Sequence, residues 1–334
     1  MNSPSAAVKA TVRATRRLPP FLLPLILSLV LAGCGTDAPR PEQVVPDYPV
    51  SPTPAPVPVP VATKLVVLVS DESPAFVDVA NSIAARAAVR PEIYNLKGDP
   101  ERAAELLRTH AASDNTSVVA IGMVAASASR RLQGKRVIFC QVFNPEQAGL
   151  ITPWMRGVSA LPPAAKALRE WKQLDPKLTR VGVITGDGLN ELMSEAHAAA
   201  RENGIQLTVA TVRSDKEMLY ALKRMSAEIE GFWLIPDNRV LSSEVLRDLM
   251  SYSVKQGKQV MVFSPELLQH GGVISVESDA QDIATQVLAR VRETGGAAVV
   301  PGPAVSRLTQ VRVQVNPVMT RALGLKTPSK YVTQ

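Results

Sequence analysis

The residues of this 334-residue chain best placed to meet a small molecule are Asp237 and Asn238, in the turn Pro236-Asp237-Asn238, and Ser264. Asp237 and Asn238 follow a short apolar run, Phe232 to Ile235, and Ser264 follows another, Gln259 to Phe263, with a helical pattern from Val240 to Lys255 between them. A crossover helix between two short apolar strands predicts a parallel sheet with right-handed connections. In such sheets ligands bind beyond the carboxyl ends of the strands, where these three residues would lie. Asp and Asn also serve strand-to-helix turns by accepting bonds from free helix amides, so the turn reads equally as a cap and as a cap that touches ligand.

Other chemistry is poorly represented. Gly186-Asp187-Gly188 lies between a strand and a helix, as a phosphate cradle would, but no third glycine or lysine follows at the required spacing. His110, His197 and His270 are scattered, with no cysteine or carboxylate at ligand spacing, so no metal site and no cofactor are expected. The chain has no Gly-x-Ser-x-Gly elbow and no plausibly placed pair of carboxylates, which argues against an enzyme. Cys140, within an apolar strand pattern, reads as a buried thiol; Met218, Met225 and Trp233 read as core.

The positioning elements belong to a chain that is 46% hydrophobic and long enough for two domains. Its formal charge of +7 is misleading, because Lys9, Arg13, Arg16 and Arg17 precede any folded segment. Without those four the balance is 33 basic against 30 acidic residues, with no basic stripe for DNA or RNA. The same basic residues open a secretory signal over residues 1–33: an apolar core from Phe21 to Val30, too short to span a bilayer, then small residues before Cys34. Leu31-Ala32-Gly33-Cys34 resembles a bacterial lipobox, which implies cleavage before Cys34, lipidation of its thiol and a membrane anchor. Gly35, rather than Asp, implies the outer membrane if the cell is Gram-negative. Residues 34–62 then form a proline-rich spacer reaching roughly 80 to 90 Å at ~3.1 Å per residue.

From Lys64 onward strand and helix patterns alternate. Strands are expected at 64–69, 92–96, 117–122 and 136–142, with helices at 75–88, 100–112 and 125–132, making an N-terminal α/β lobe over 64–157. The alternation resumes in a C-terminal lobe, 158–277, with strands at 180–185, 206–211, 232–235, 259–263 and 273–276 and helices at 163–174, 190–203, 214–228 and 240–255. Residues 278–328 add a helix at 280–293, an edge strand at 308–315 and a last helix capped by Asn316-Pro317, an extension returning across the hinge.

Specific residues give this two-lobed α/β pattern a family likeness. Val137-Ile138-Phe139, Phe143-Asn144-Pro145, Ala148-Gly149-Leu150, Gly157-Val158-Ser159, the run Leu174 to Val183, Pro236-Asp237-Asn238 and the ending Ala322-Leu323-Gly324-Leu325 resemble the ABC transporter substrate-binding family that includes tryptophan and tyrosine importer components. The likeness covers about residues 64 to 328. It implies a type I periplasmic binding fold, in which two lobes close on a small organic ligand without chemistry and pass it to an ABC permease. By position it implies that Asp237, Asn238, Asn190 and Ser264 face the ligand from the second lobe, with Gly271-Gly272 at the cleft rim. From the first lobe it implies Ser73 and the backbone at Gly122.

Three loops depart from the family pattern. Ser73-Pro74-Ala75-Phe76-Val77 stands where the family tends to carry a His-Pro-Ala-Leu-Asp-like run, Gly122-Met123 where it has Gly-Thr, and Gly186 to Asn190 where it has Asn-rich segments. These losses argue against an aromatic amino acid as ligand. They also keep a second reading open, a tethered envelope lipoprotein that retains the fold and binds a protein partner.

Overall fold

In the computed structural model, residues 64–111, 115–133, 135–293 and 302–331 are described. The chain divides into two units, 1–55 and 56–334, and all described residues belong to the second. The signal segment, Cys34 and the proline-rich spacer lie outside them.

The first lobe takes the order β1 (Lys64–Val69), α1 (Pro74–Arg86), β2 (Glu92–Asn95), α2 (Pro100–His110), β3 (Thr116–Ile121), α3 (Met123–Ser129), β4 (Arg136–Cys140) and β5 (Met155–Val158). The second runs α4 (Ala164–Leu174), β6 (Arg180–Thr185), α5 (Asn190–Glu202), β7 (Gln206–Thr211), α6 (Asp215–Met225), β8 (Gly231–Trp233), α7 (Ser243–Lys255), β9 (Gln259–Val262) and β10 (Ile274–Ser278). Four further elements follow: α8 (Ala280–Glu293), β11 (Val305–Ser306), β12 (Val311–Val315) and α9 (Pro317–Ala322). They are shared out between the lobes, since β11 joins the first sheet, in the order β11-β5-β4-β3-β1-β2, and β12 the second, in the order β12-β10-β9-β8-β6-β7.

Both sheets are parallel except where β12 runs antiparallel to β10 at the edge. Their central strands carry apolar residues on both faces, because crossover helices cover both. Val67, Ile121 and Ile138 pack under α1 and α8, whereas Val66, Val118 and Phe139 pack against the side chains of α2 and α3. In the second lobe α4 and α5 cover one face and α6 and α7 the other, with Met218 and Met225 buried as their spacing predicts. Caps fix several helix starts: Asp99 accepts from Glu101 and Arg102 amides at 2.8 and 3.3 Å, and Asn316 from Val318 and Met319 at 3.0 and 3.1 Å.

Two sequence expectations change. The helix placed at 240–255 begins at Ser243, and the Ser242 hydroxyl caps it by accepting from the Val245 amide at 3.3 Å. The Asp237-Asn238 turn therefore ends a strand segment without capping α7. Strands β5 and β11 were not expected, since four and two residues respectively are too few to show a period.

Three connections join the lobes: β5 to α4, β10 to α8 and β11 to β12. Asp282, buried in the first turn of α8, secures the third. Its carboxylate accepts from the Gln310 amide at 2.8 Å, from the Thr309 hydroxyl at 3.0 Å and from the Thr309 amide. Ser278 ties the other two by donating to the Ala160 carbonyl at 2.9 Å. Asp282→Ala would strand two backbone amides and is expected to cost about 2–3 kcal/mol in urea unfolding, whereas a cost below 1 kcal/mol would remove Asp282 from the hinge's support.

Candidate functional site

The carboxyl ends of the strands of the two lobes meet across a cleft. Asp237 lies at its centre, after β8, and is 0% exposed. Its carboxylate is fully engaged. Oδ2 accepts from the Gly186 amide at 2.9 Å and from Arg239 Nη2 at 2.5 Å, and Oδ1 accepts from Arg239 Nε at 2.7 Å. The side chain of Arg239 thus folds back two residues to make a bidentate pair. Burial by itself would push the Asp237 carboxyl up, but the guanidinium and the Gly186 amide outweigh it and hold the group below the ordinary aspartate range. The same hydrogen bond raises Arg239.

Arg239 reaches further, into the other lobe. Its Nη1 donates to the Asp187 carbonyl at 2.8 Å and to the Gln147 amide oxygen. With the Asn144 amide oriented to satisfy both its groups, its oxygen accepts from Arg239 Nε at 3.1 Å and from Nη2 at 2.9 Å. Gln147 returns the contact by donating to the Asp187 carbonyl at 2.6 Å. One guanidinium therefore joins the loop after β8, the loop after β6 and the loop after β4.

Local backbone geometry shapes this junction. Gln141 and Asn144, with φ of +55° and +54°, hold a left-handed conformation that side-chained residues rarely adopt, and the loop after β4 turns sharply there. Gly188 has φ of +83°, and a Cβ on it would stand 1.9 Å from Gln147 Nε2. A Cβ on Gly186 would stand 2.9 Å from Arg239 Nη2. The Gly186-Asp187-Gly188 segment is thus a cradle for two side chains of this protein.

Beside the junction lies a cavity of about 360 Å³ between the lobes. Val142 and Phe143 form its first-lobe wall, Leu161 of the β5–α4 connection its hinge side, and Leu189 and Leu192 its second-lobe wall; Asn144 and Gly188 belong to both cavity and junction. Glu146, Glu191 and the Arg307–Glu195 ion pair supply its charge. Apolar walls with a few polar groups are what a small organic ligand requires.

The other residues assigned by resemblance are dispersed. Asn238 is exposed beside Arg239, and Asn190, the first residue of α5, is exposed and outside the cavity lining. Ser264 lies two residues past β9, at the start of the Pro265–His270 turn, and donates to the Glu266 carboxylate. Ser73 is exposed and bonded to Asp71 through its amide at 2.8 Å and its hydroxyl. Gly122 has both backbone groups in use, its amide on the Cys140 carbonyl at 3.0 Å and its carbonyl on the Ala126 amide at 3.1 Å. A Cβ there would meet Ser70 Oγ at 2.6 Å and the Phe76 ring at 2.7 Å, so Gly122 is a packing position. Gly271-Gly272 leads into the amino end of β10, opposite the cleft, because the turn Pro265–His270 has carried the chain to the far side of the sheet.

Sequence reasoning missed Arg239 and Gln147 and used Asn144 only as a marker of likeness. An arginine two residues past a buried aspartate was a usable signal. Gln147 carried none. Among the described residues no cluster of His, Cys, Asp or Glu could hold a metal, and no helix is long and apolar enough to cross a membrane. The Cys140 thiol, buried in β4, is pushed up to about 12 and is unreactive at neutral pH.

Comparisons place this geometry. Among curated proteins none matches the chain. Solved structures share the fold: an ABC domain in complex with L-Trp from Streptococcus pneumonia is 20% identical, with 81% of this chain and 97% of that one covered and a TM-score of 0.55. A ligand-free, open substrate binding protein with adhesive properties from Clostridium difficile is 16% identical over 80% and 96% of the two chains, with a TM-score of 0.59. A conserved domain protein from Vibrio cholerae is 18% identical over 81% and 97%, with a TM-score of 0.55. These likenesses show two parallel-dominated sheets flanked by helices, the type I periplasmic binding fold. The sequence profile described as ABC transporter substrate binding protein matches residues 84–330, well over half of the chain, and the protein belongs to that family, a class that binds solutes without chemistry.

Proposed function

We propose that this protein captures a small organic solute with an apolar body between its lobes and delivers it to an ABC importer, held at the cell envelope by a lipid on Cys34. The observation that carries this reading is the cavity of about 360 Å³ with leucine, valine and phenylalanine walls drawn from both lobes. A solute seated there would touch both lobes at once and favour their closed arrangement. Gly35 after the lipidated cysteine suits an outer-membrane anchor in a Gram-negative cell, and the spacer supplies reach toward an inner-membrane permease.

A thermal-shift panel of amino acids, nucleosides and small amides tests it. A solute at 100 times its Kd stabilises by about 2.7 kcal/mol, so at least one class should raise Tm measurably; silence across the panel would defeat solute capture. One observation favours a second reading, a tethered lipoprotein that engages an envelope protein. The lobes are joined by Arg239, Asn144 and Gln147 with no solute needed between them.

A further inference from the structure

The geometry points to Arg239 as a built-in occupant of the cleft: it closes the lobes in the absence of solute and denies Asp237 to any cationic group a solute brings. The Asp237 carboxylate is the only buried acid that the described residues place at the centre of the cleft, and it accepts from Gly186 and Arg239 alone. A buried carboxylate demands a cation or a set of donors in front of it. Here the chain supplies a guanidinium from two residues away. Its remaining nitrogen, Nη1, is spent on Asp187 in its own lobe and on Gln147 in the other, and the Asn144 amide oxygen shares Nε and Nη2 with Asp237.

Both loops that receive the guanidinium are built around it. The first-lobe loop holds Gln141 and Asn144 at positive φ, which brings Asn144, 9% exposed, under the arginine. The second-lobe loop carries Gly186 and Gly188 where any side chain would strike Arg239 or Gln147. Arg239 itself remains 33% exposed, so it can leave without unfolding the lobe. A ligand that bridges two lobes normally makes such contacts, and an internal bridge removes the need for one.

Two consequences follow. Ligand-free protein is predominantly closed. Under the solute-capture reading, on which this second consequence rests, Asp237 holds no cationic group of the solute, because an ammonium or guanidinium group finds that carboxylate already neutralised.

Distances between spin labels test the bridge in the full chain. Val77→Cys on α1 and Glu244→Cys on α7, both exposed, report across the cleft in a Cys34→Ser background, with Cys140 too buried to label. The expected result is a single short distance without solute, shifted to longer values in Arg239→Ala and in the milder Gln147→Ala. Low-millimolar guanidinium chloride should restore the short distance in Arg239→Ala, leave Gln147→Ala open and change neither distance nor Tm of the parent. A long distance in the ligand-free parent, or unchanged distances in both variants, would overturn the bridge. Failure of guanidinium to restore closure in Arg239→Ala would overturn the cation position. Gln147→Ala decides the matter if Arg239→Ala does not fold, and none of these outcomes depends on whether the solute panel finds a ligand.

Discussion

Replacing Arg239 with methionine is expected to destabilise the protein by about 3–4 kcal/mol, the cost of leaving a buried carboxylate without its partner. The figure sits at the low end for broken buried pairs because Arg239 is 33% exposed, and water can reach part of the site. Urea unfolding at pH 7 measures it. The double variant Asp237→Asn, Arg239→Met removes both charges and should recover most of the loss. A single variant as stable as the parent would show that Asp237 finds other donors. The sign of the pH dependence follows from the lowered Asp237 carboxyl. Its contribution is present above the ordinary aspartate value of about 3.8 and is lost as pH falls through the lower folded value. In the methionine variant the unpaired carboxyl is penalised most when charged, so the gap between parent and variant should be widest near neutrality and close on acidification.

The second large effect belongs to the core of the second lobe. Trp171, in the last turn of α4, is 0% exposed; its indole Nε1 donates to Gln259 Oε1 at 2.8 Å, and Gln259 Nε2 donates to Asp175 at 2.6 Å. Its ring also occupies the space that a side chain at Gly231 would need, since a Cβ there would lie 2.5 Å from Trp171 Cζ2. Trp171→Ala removes the largest fully buried side chain of the lobe and leaves Gln259 half-satisfied, for an expected loss of about 4–5 kcal/mol. Trp171→Phe keeps most of the volume and should cost about half as much. Equal losses in the two variants would assign the effect to the Gln259 bond and not to packing.

The fold was legible because its signals are local. Apolar runs such as Leu65 to Val69 and Val181 to Ile184 alternate with amphipathic helical patterns, and that alternation suffices to order strands and helices. The edges were less so. Strands β5 and β11 become strands by pairing with β4 and with each other, Val305 against Gly157, and that pairing leaves no mark in a two-residue sequence. Topology put Asp237 at the carboxyl ends of the strands, but it carried no sign of the residues that surround it. The partners of Asp237 are Arg239, two places on, and Gly186, 51 positions back, while Gln147, which Arg239 reaches, lies 92 positions from the arginine. The glycines at 186 and 188 looked like an anion cradle because close backbone approach has the same residue signature whether the guest is a phosphate or a side chain.

Calorimetric titration of the strongest binder from the solute panel, against the parent and against Leu192→Trp, tests solute capture most directly. Leu192 lines the cavity from the first turn of α5, where a larger ring would fill the space without touching Asp237. Capture between the lobes predicts one site per chain in the parent and at least about tenfold weaker binding in the filled variant, a difference of about 1.4 kcal/mol. Equal affinity in the two proteins would place the solute elsewhere and contradict the reading.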